Sequence, residues 1–229
     1  MMLPGYPWRV FFINPPGVYA PQEDTGMLAA ALRRESLRPG AEVLDVGAGS
    51  GALAVAAARH GAGRVTATDA AFAAVLTTLL NAWFAGHGNR VRAHRGDLLH
   101  PVAGRHFDLV MANPPYVPSA APVLPRRGRA RAWDAGPDGR AVLDRLCAQV
   151  PALLAPYGVL LLVHSQICDP ARTVGLLAEA GLETSVTDRR FIPFGPVMRG
   201  RAAWLEAQGL IVPGQDKEEL VVVRAQRAA

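Results

Sequence analysis

The residues most suited to chemistry are four in a row, Asn113-Pro114-Pro115-Tyr116. They follow Phe107–Ala112, a short apolar run that reads as a buried strand. Proline lacks an N–H, fixes φ and pushes the residue before it into an extended conformation. Asn113 is therefore presented at the carboxyl end of a strand, with a stiff, turned-out backbone after it. Its side-chain oxygen and the Pro114 carbonyl can both point at one small group, and the Tyr116 ring can lie against that group. Two acceptors and a flat ring suit a planar –NH2, either an amide or the exocyclic amine of a base. Alone, the tetrapeptide fits a plain strand-ending turn equally well, since Asn and Pro are common turn formers.

A glycine-rich stretch upstream weighs against the plain turn. Glu42–Gly47 is the first clear buried strand, and Gly47, Gly49 and Gly51 follow it, with a helix predicted from about 52 to 60. A strand, a glycine turn and a helix N-terminus make the nucleotide-binding corner of a doubly wound sheet. Glycines allow positive φ and close approach of a ligand to the backbone. Asp45 lies two residues before Gly47, which gives the pattern D-x-G-x-G-x-G. An acid there suits a cationic or amino-bearing ligand better than a pyrophosphate, and so favours S-adenosylmethionine over a dinucleotide.

Three further positions belong to the same reading. The strand 64–69 ends in Asp69, placed to take two ribose hydroxyls, with helix capping as the alternative. The strand 91–95 runs into Asp97 and Leu98, which can meet an adenine amine and ring, although Asp97 reads equally as a turn residue. Glu23, Asp24 and Thr25 open a helix running to about 36, where acids suit the helix dipole and capping accounts for them. Asn14-Pro15-Pro16 repeats part of the key motif, but Gly17 follows in place of an aromatic, and it reads as a coincidental turn.

The elements that must hold these residues alternate between strand and helix. After the fourth strand comes a long loop, 117–139, with Arg126, Arg127, Arg129 and Arg131 and the sequence Gly136-Pro137-Asp138-Gly139. Loops of this length in compact domains are usually functional or disordered. A helix is expected over about 140–154, a strand over 158–165, a helix over 170–180 and a strand over 183–191. An insertion, 192–215, carries a helix near 199–208, and a last strand spans about 219–224. Residues 1–21, rich in Pro, Gly and aromatics, read as an irregular N-terminal arm. At 229 residues the chain reads as a single domain.

Composition narrows the classes. Half the residues are hydrophobic, enough for a full core without disulfides or metal. Cys147 and Cys168 form no framework, which fits a reducing cytoplasm. No signal peptide is predicted and no stretch reaches bilayer length, so a cytoplasmic, membrane-free protein is expected. The net charge is +5, and four of the arginines lie in 126–131, so this is a mostly neutral protein with one basic loop. The six histidines show no metal-ligand spacing, and no Ser or Cys sits in a nucleophile-elbow pattern.

Taken in order, the D-x-G-x-G-x-G turn, Asp69, Asp97 and Asn-Pro-Pro-Tyr resemble a class I S-adenosylmethionine-dependent methyltransferase. Within that class the chain is similar to the HemK family of protein glutamine methyltransferases, in the short branch lacking an N-terminal helical domain. Val18–Thr25, Asn113–Tyr116 and Gly136–Arg140 carry this likeness, which covers about 17–190 and the final strand. The arginine-rich stretch and the long connection before the last strand depart from the common pattern, where substrate is chosen.

The resemblance implies an α/β, Rossmann-like fold: a seven-stranded, mostly parallel sheet with an antiparallel last strand and helices on both faces. It implies that Gly47, Gly49, Asp69, Asp97 and Leu98 bind S-adenosylmethionine, with Asp45 at its methionine end and Thr25 and Tyr19 closing over that end. Asn113, shared between cofactor and acceptor, would hold the target amide with Pro114, against Tyr116. The acceptor implied is a protein glutamine, with a translation release factor as the family's usual substrate. Some short members are thought to need a small zinc-binding partner subunit.

Three other readings remain at this stage. A nucleic-acid methyltransferase acting on an exocyclic base amine uses the same tetrapeptide, but needs base flipping and a sizeable basic surface. Only the loop with Arg126, Arg127, Arg129 and Arg131 is basic; it can touch ribosomal RNA or simply be solvated. A small-molecule methyltransferase would use 192–215 as a lid. A catalytically idle fold would only bind a partner.

Overall fold

The computed structural model describes residues 12–121, 123–125 and 128–229. Seven strands form one sheet: β1 (Glu42–Val46), β2 (Arg64–Asp69), β3 (Val91–Arg95), β4 (Phe107–Ala112), β5 (Leu154–Ser165), β6 (Leu182–Pro193) and β7 (Lys217–Arg227). Their order across the sheet is β3-β2-β1-β4-β5-β7-β6. The pairs β1–β2, β1–β4, β2–β3 and β4–β5 are parallel, whereas β7 runs antiparallel between β5 and β6. The helices are α1 (Glu23–Leu32), α2 (Ala52–Arg59), α3 (Phe72–Phe84), α4 (Leu143–Gln149), α5 (Pro170–Glu179) and α6 (Pro196–Ala207).

The period-two alternation of strand side chains feeds two cores, one on each face. Val43, Leu109, Met111, Leu161 and Val222 pack with α1 and α2 on one face. Leu44, Val110, Leu160, Leu162 and Val223 pack with α4 and α5 on the other. Strands β1, β4 and β5 are therefore mostly apolar, as parallel strands covered on both faces tend to be. A third, smaller cluster of Phe194, Met198, Leu205 and Ile211 builds the connection between β6 and β7 around α6.

Helix α1 ends at Leu32, short of the expected 36, and two further expectations shift in detail. The helix expected over 140–154 is shorter: α4 begins at Leu143 and ends at Gln149, and a 3-10 turn, Val150–Leu153, leads straight into β5. Arg140 precedes the helix and is buried. Its guanidinium reaches the Cys168 carbonyl, the Asp169 carbonyl at 2.9 Å, Thr173 Oγ1 at 3.1 Å and Asp144 Oδ1 at 2.7 Å. The Gly136–Arg140 sequence thus bolts the long loop to α5. Gly139, at φ +73°, is the tight point, since a Cβ there would meet the Tyr116 carbonyl oxygen at 2.4 Å.

The second shift concerns β6 and β7, which run longer than expected and pair as one ladder from Leu182↔Arg227 to Pro193↔Lys217. The expected helix in 192–215 is α6, starting at Pro196. Of the arm, residues 1–11 lie outside the described residues. Its continuation is irregular and stitched to α3: Ile13 N–H donates to Asn81 Oδ1 at 2.8 Å, and Asn81 Nδ2 donates to the Ile13 carbonyl at 2.9 Å. Asn14-Pro15-Pro16 is a turn closed by Val18 N–H on the Pro15 carbonyl at 3.1 Å, with Asn14 exposed. No helix is long and apolar enough to cross a membrane among the described residues.

Candidate active site

The carboxyl ends of β1 to β4 open into one cavity of about 730 Å³. This is where open α/β sheets bind ligands. Tyr19, Gly47, Gly49, Asp69, Asp97, Leu98, Asn113, Pro114 and Tyr116 all line it. Two of the expected site residues, Asp45 and Thr25, do not.

Asp45 is fully buried beneath the glycine turn. It shares the parity of Val43 on β1 and so faces α2, where Oδ2 accepts from Ala54 N–H at 2.9 Å. It ties down an orphan donor in the first turn of α2. Burial pushes its carboxyl up to about 7, against the Ala54 hydrogen bond, and Asp69 adds to the rise. Oδ1 has no partner among the described residues.

Thr25 is also buried, and its hydroxyl is committed to side chains rather than to the cavity. Oγ1 accepts from Asn113 Nδ2 at 3.3 Å and donates to Asp24 Oδ1 at 3.1 Å. This fixes the Asn113 amide with its nitrogen turned to α1 and leaves Oδ1 as the acceptor. Thr25 therefore orients Asn113.

Asp24, read from the sequence as a cap, is the hub of the site. It is 3% exposed and lines the cavity. Oδ1 accepts from Thr25 N–H at 2.5 Å; Oδ2 accepts from the Tyr19 hydroxyl at 2.5 Å and the Tyr116 hydroxyl at 3.1 Å. Charge-assisted hydrogen bonds and the first turn of α1 compensate its burial, since no arginine or lysine pairs with it among the described residues. Burial, followed by the Asp24 charge, raises both tyrosine hydroxyls well above their usual range. Both therefore stay protonated and act as donors.

Glu218, at the start of β7, was not singled out from the sequence either. It lines the cavity at 6% exposure, and its Oε2 is without a partner among the described residues. Burial raises its carboxyl, the Ser165 hydroxyl opposes that, and Asp24 adds to it. The sequence signal was faint: one acid among the charged residues that open β7 ahead of its apolar run.

The glycine turn bears on which cofactor the cavity can take. Gly47 N–H and Ala48 N–H donate to the Thr68 carbonyl at 2.8 and 3.1 Å, and Gly49 N–H donates to Asp69 Oδ2 at 3.0 Å. With these donors spent inside the protein, the turn offers no amide cradle for a pyrophosphate. Gly49, at φ +54°, lies against Tyr19, whose Cβ a side chain would meet at 3.3 Å. The acceptors around the cavity, Asp69, Asp97, Asp24 and Asn113 Oδ1, suit a ligand rich in hydroxyl, amino and cationic groups, and S-adenosylmethionine fits that donor set.

Asp69 also caps Ala71 N–H at 2.8 Å, so the capping and ligand readings of this residue coexist. Asp97 is exposed and paired with Arg145 at 2.5 Å. Leu98 takes the strained φ of +46° beside it.

The loop 117–139 and the connection 192–215 form the opposite wall. Arg201 on α6 joins them, donating to the Pro118 carbonyl at 2.8 Å and to Asp134 Oδ1 at 2.6 Å. Of the four loop arginines, Arg126 and Arg127 lie outside the described residues. Arg129 is part of a 3-10 turn, and Arg131 lines the cavity and reaches the Ala70 carbonyl at 3.5 Å. Among the described residues no three His, Cys, Asp or Glu side chains gather as a metal site.

A parallel sheet with one antiparallel strand inserted beside its edge, and acceptors at the tips of its first four strands, defines the Rossmann-like class I methyltransferases. A profile of the methyltransferase small domain matches residues 9–123. A Methanocaldococcus jannaschii chain assigned as a protein N5-glutamine methyltransferase is 30% identical over 183 residues, covering 80% of this chain and 90% of that one. The release factor glutamine methyltransferase of Rhodospirillum rubrum is 38% identical over 180 residues, which are 76% of this chain and 54% of the relative. The chain thus spans little more than half the length of that enzyme. Among solved structures, a chain of the E. cuniculi Mtq2–Trm112 complex, responsible for methylating the eRF1 termination factor, superposes with a TM-score of 0.58 at 24% identity. The match covers 93% of this chain and 99% of that chain. The chain belongs to the methyltransferase small domain family and is a methyltransferase enzyme of the HemK type.

Proposed function

We propose that this enzyme transfers a methyl group from S-adenosylmethionine to the side-chain nitrogen of a protein glutamine, with a translation release factor as acceptor. The observation that carries the reading is the orientation of Asn113. Its Nδ2 is held by Thr25 Oγ1 at 3.3 Å, which leaves Oδ1 as the free acceptor of that amide. The names of the relatives support the same acceptor.

Asp69 would hold the ribose and Asp97 with Leu98 the adenine. The turn at Gly47 and Gly49 lets the backbone lie close, and Tyr19 covers the remaining end. When bound, S-adenosylmethionine supplies a methyl group on a sulfonium, a leaving group already activated. The difficulty lies with the acceptor, because an amide lone pair is delocalised. Asn113 Oδ1 and the Pro114 carbonyl take the two amide protons and direct the nitrogen into the cavity. The same two dipoles stabilise positive charge that develops on that nitrogen. Holding the acceptor in line supplies much of the remainder, up to about 7–11 kcal/mol in ideal cases. Tyr116 packs on the flat amide, and Asp24 fixes Tyr116. The surplus proton leaves to water after transfer, so no strong base is required beforehand.

The experiment is methyl transfer to a purified bacterial release factor, with the modified residue mapped by mass spectrometry. Methylation of one glutamine is expected; transfer to nucleic acid in its place would overturn the reading.

The outer face of α3 is the surface on which a small partner subunit would sit. Phe72, Leu76, Leu79, Leu80, Trp83 and Phe84 are all exposed there, at helical spacing, next to the open edge of β3. The Mtq2–Trm112 neighbour is a two-chain assembly, which supports a partner of that kind here. Charged substitution of Trp83 should abolish co-purification with such a subunit.

A further inference from the structure

We propose that Glu218 is the anchor for a main-chain amide of the acceptor chain beside the methylated residue. This rests on the protein-glutamine reading above and adds a subsite to it.

Position is the first argument. Asp69, Asp97 and the glycine turn follow β2, β3 and β1, all on one side of Asn113 at the tip of β4. Glu218 lies on the other side, two strands beyond β4, since β5 and then β7 come next. Two strand spacings are about 10 Å, roughly three residues of extended chain. Glu218 is thus out of line with the cofactor residues, yet within reach of backbone flanking a side chain held at Asn113.

Chemistry is the second. A side chain that is 6% exposed and has an unpartnered carboxyl oxygen is costly to keep in a protein unless a ligand completes it. The polar neighbours that bear on it are Asp24, Ser165, Tyr19 and Tyr116, with Cys168 also within its field. None of these is a cation. Its cross-strand partner Ile192 is apolar, as are Pro193 and Met198 among the residues that line the same cavity. Burial raises the pKa of its carboxyl, and the Ser165 hydroxyl opposes the rise. The unpartnered Oε2 is a hydrogen-bond acceptor, the complement of a peptide N–H.

The test compares Glu218→Gln with Glu218→Met, using a purified release factor as acceptor and S-adenosylmethionine as donor. Glutamine keeps both a donor and an acceptor; methionine keeps the shape and loses both. Glu218→Met should raise the KM for the release factor about tenfold, while Glu218→Gln stays within about threefold of wild type. The Kd for S-adenosylmethionine, measured by calorimetry, should not move in either variant and reports that both are folded. Equal losses in the two variants would mean an ionised carboxylate holding a cation, and would overturn the proposal. So would an unchanged KM in Glu218→Met, or a loss confined to S-adenosylmethionine binding. If wild type binds S-adenosylmethionine but methylates no release factor, the glutamine reading itself fails, and this subsite falls with it.

Discussion

Asn113 Nδ2 donates to Thr25 Oγ1 across 88 residues of sequence, at 3.3 Å. That bond ties the tip of β4 to the first turn of α1 and sets which end of the Asn113 amide is left free. Replacing Asn113 by Ala should leave S-adenosylmethionine affinity within about threefold and lower kcat by at least about a hundredfold, as when one preorganised dipole is removed. Calorimetry and a labelled-methyl assay measure the two separately.

Thr25→Val keeps the shape and removes the hydroxyl. The Asn113 amide is then free to turn. A fall in kcat of about tenfold is expected, the worth of one orienting hydrogen bond. Thr25→Ser should restore most of it. Equal activity in the valine and serine variants would show that Thr25 only fills space.

Asp24→Asn leaves the volume but presents an N–H2 where three O–H groups and one N–H now converge. Tyr19, Tyr116 and Thr25 cannot all remain satisfied. We expect a stability loss of about 1–3 kcal/mol and a larger fall in kcat than either Tyr19→Phe or Tyr116→Phe causes alone. Urea unfolding and steady-state kinetics test this.

Asp45 and His164 give stability opposite slopes in pH. Asp45 is raised from 3.8 to about 7 in the fold, so the stability it contributes is present below pH 4 and lost as pH rises toward 7. His164, buried, is lowered from 6.5 to about 4, so its contribution is present above pH 6.5 and lost as pH falls toward 4. Between pH 4 and 6.5 the two offset each other. Asp45→Asn should unmask the His164 slope, and its stability should rise steadily over that interval where wild type changes little. Denaturant titrations at several pH values check it; a flat profile in Asp45→Asn would contradict the assignment.

Much of this was legible in the sequence, and what was missed has physical causes. Strands β2, β3 and β4 stand where the sequence put them. β4 was readable because a strand covered on both faces leaves a nearly unbroken hydrophobic signal, and β2 closes on Asp69. The far edge was harder. In β6, polar residues such as Glu183, Asp188 and Arg190 suit an exposed edge, so its pairing with β7 left no pattern beyond residue 191. Asn113, Pro114, Tyr116 and the glycine turn were readable because their backbone demands are local. Asp24 and Glu218 were not: an acid in a first helical turn already has a sufficient local explanation, and an acid among the charged residues that open β7 gives no local sign of burial. Their importance comes from what the fold brings to them. Asp45 is a related case: its nearness to the glycine turn in sequence suggests a ligand contact, and strand parity sends its side chain under the turn to Ala54 N–H.

The central claim is that this cavity presents an amide nitrogen of a protein to an activated methyl group. The most direct measurement incubates the purified protein with S-adenosylmethionine and a bacterial release factor, then maps the methylated residue by tandem mass spectrometry, with Asn113→Ala in parallel. A single methyl on a glutamine side-chain nitrogen, absent with the variant, is the predicted result. Methylation at another residue type, or methylation of glutamine undiminished by Asn113→Ala, would contradict it.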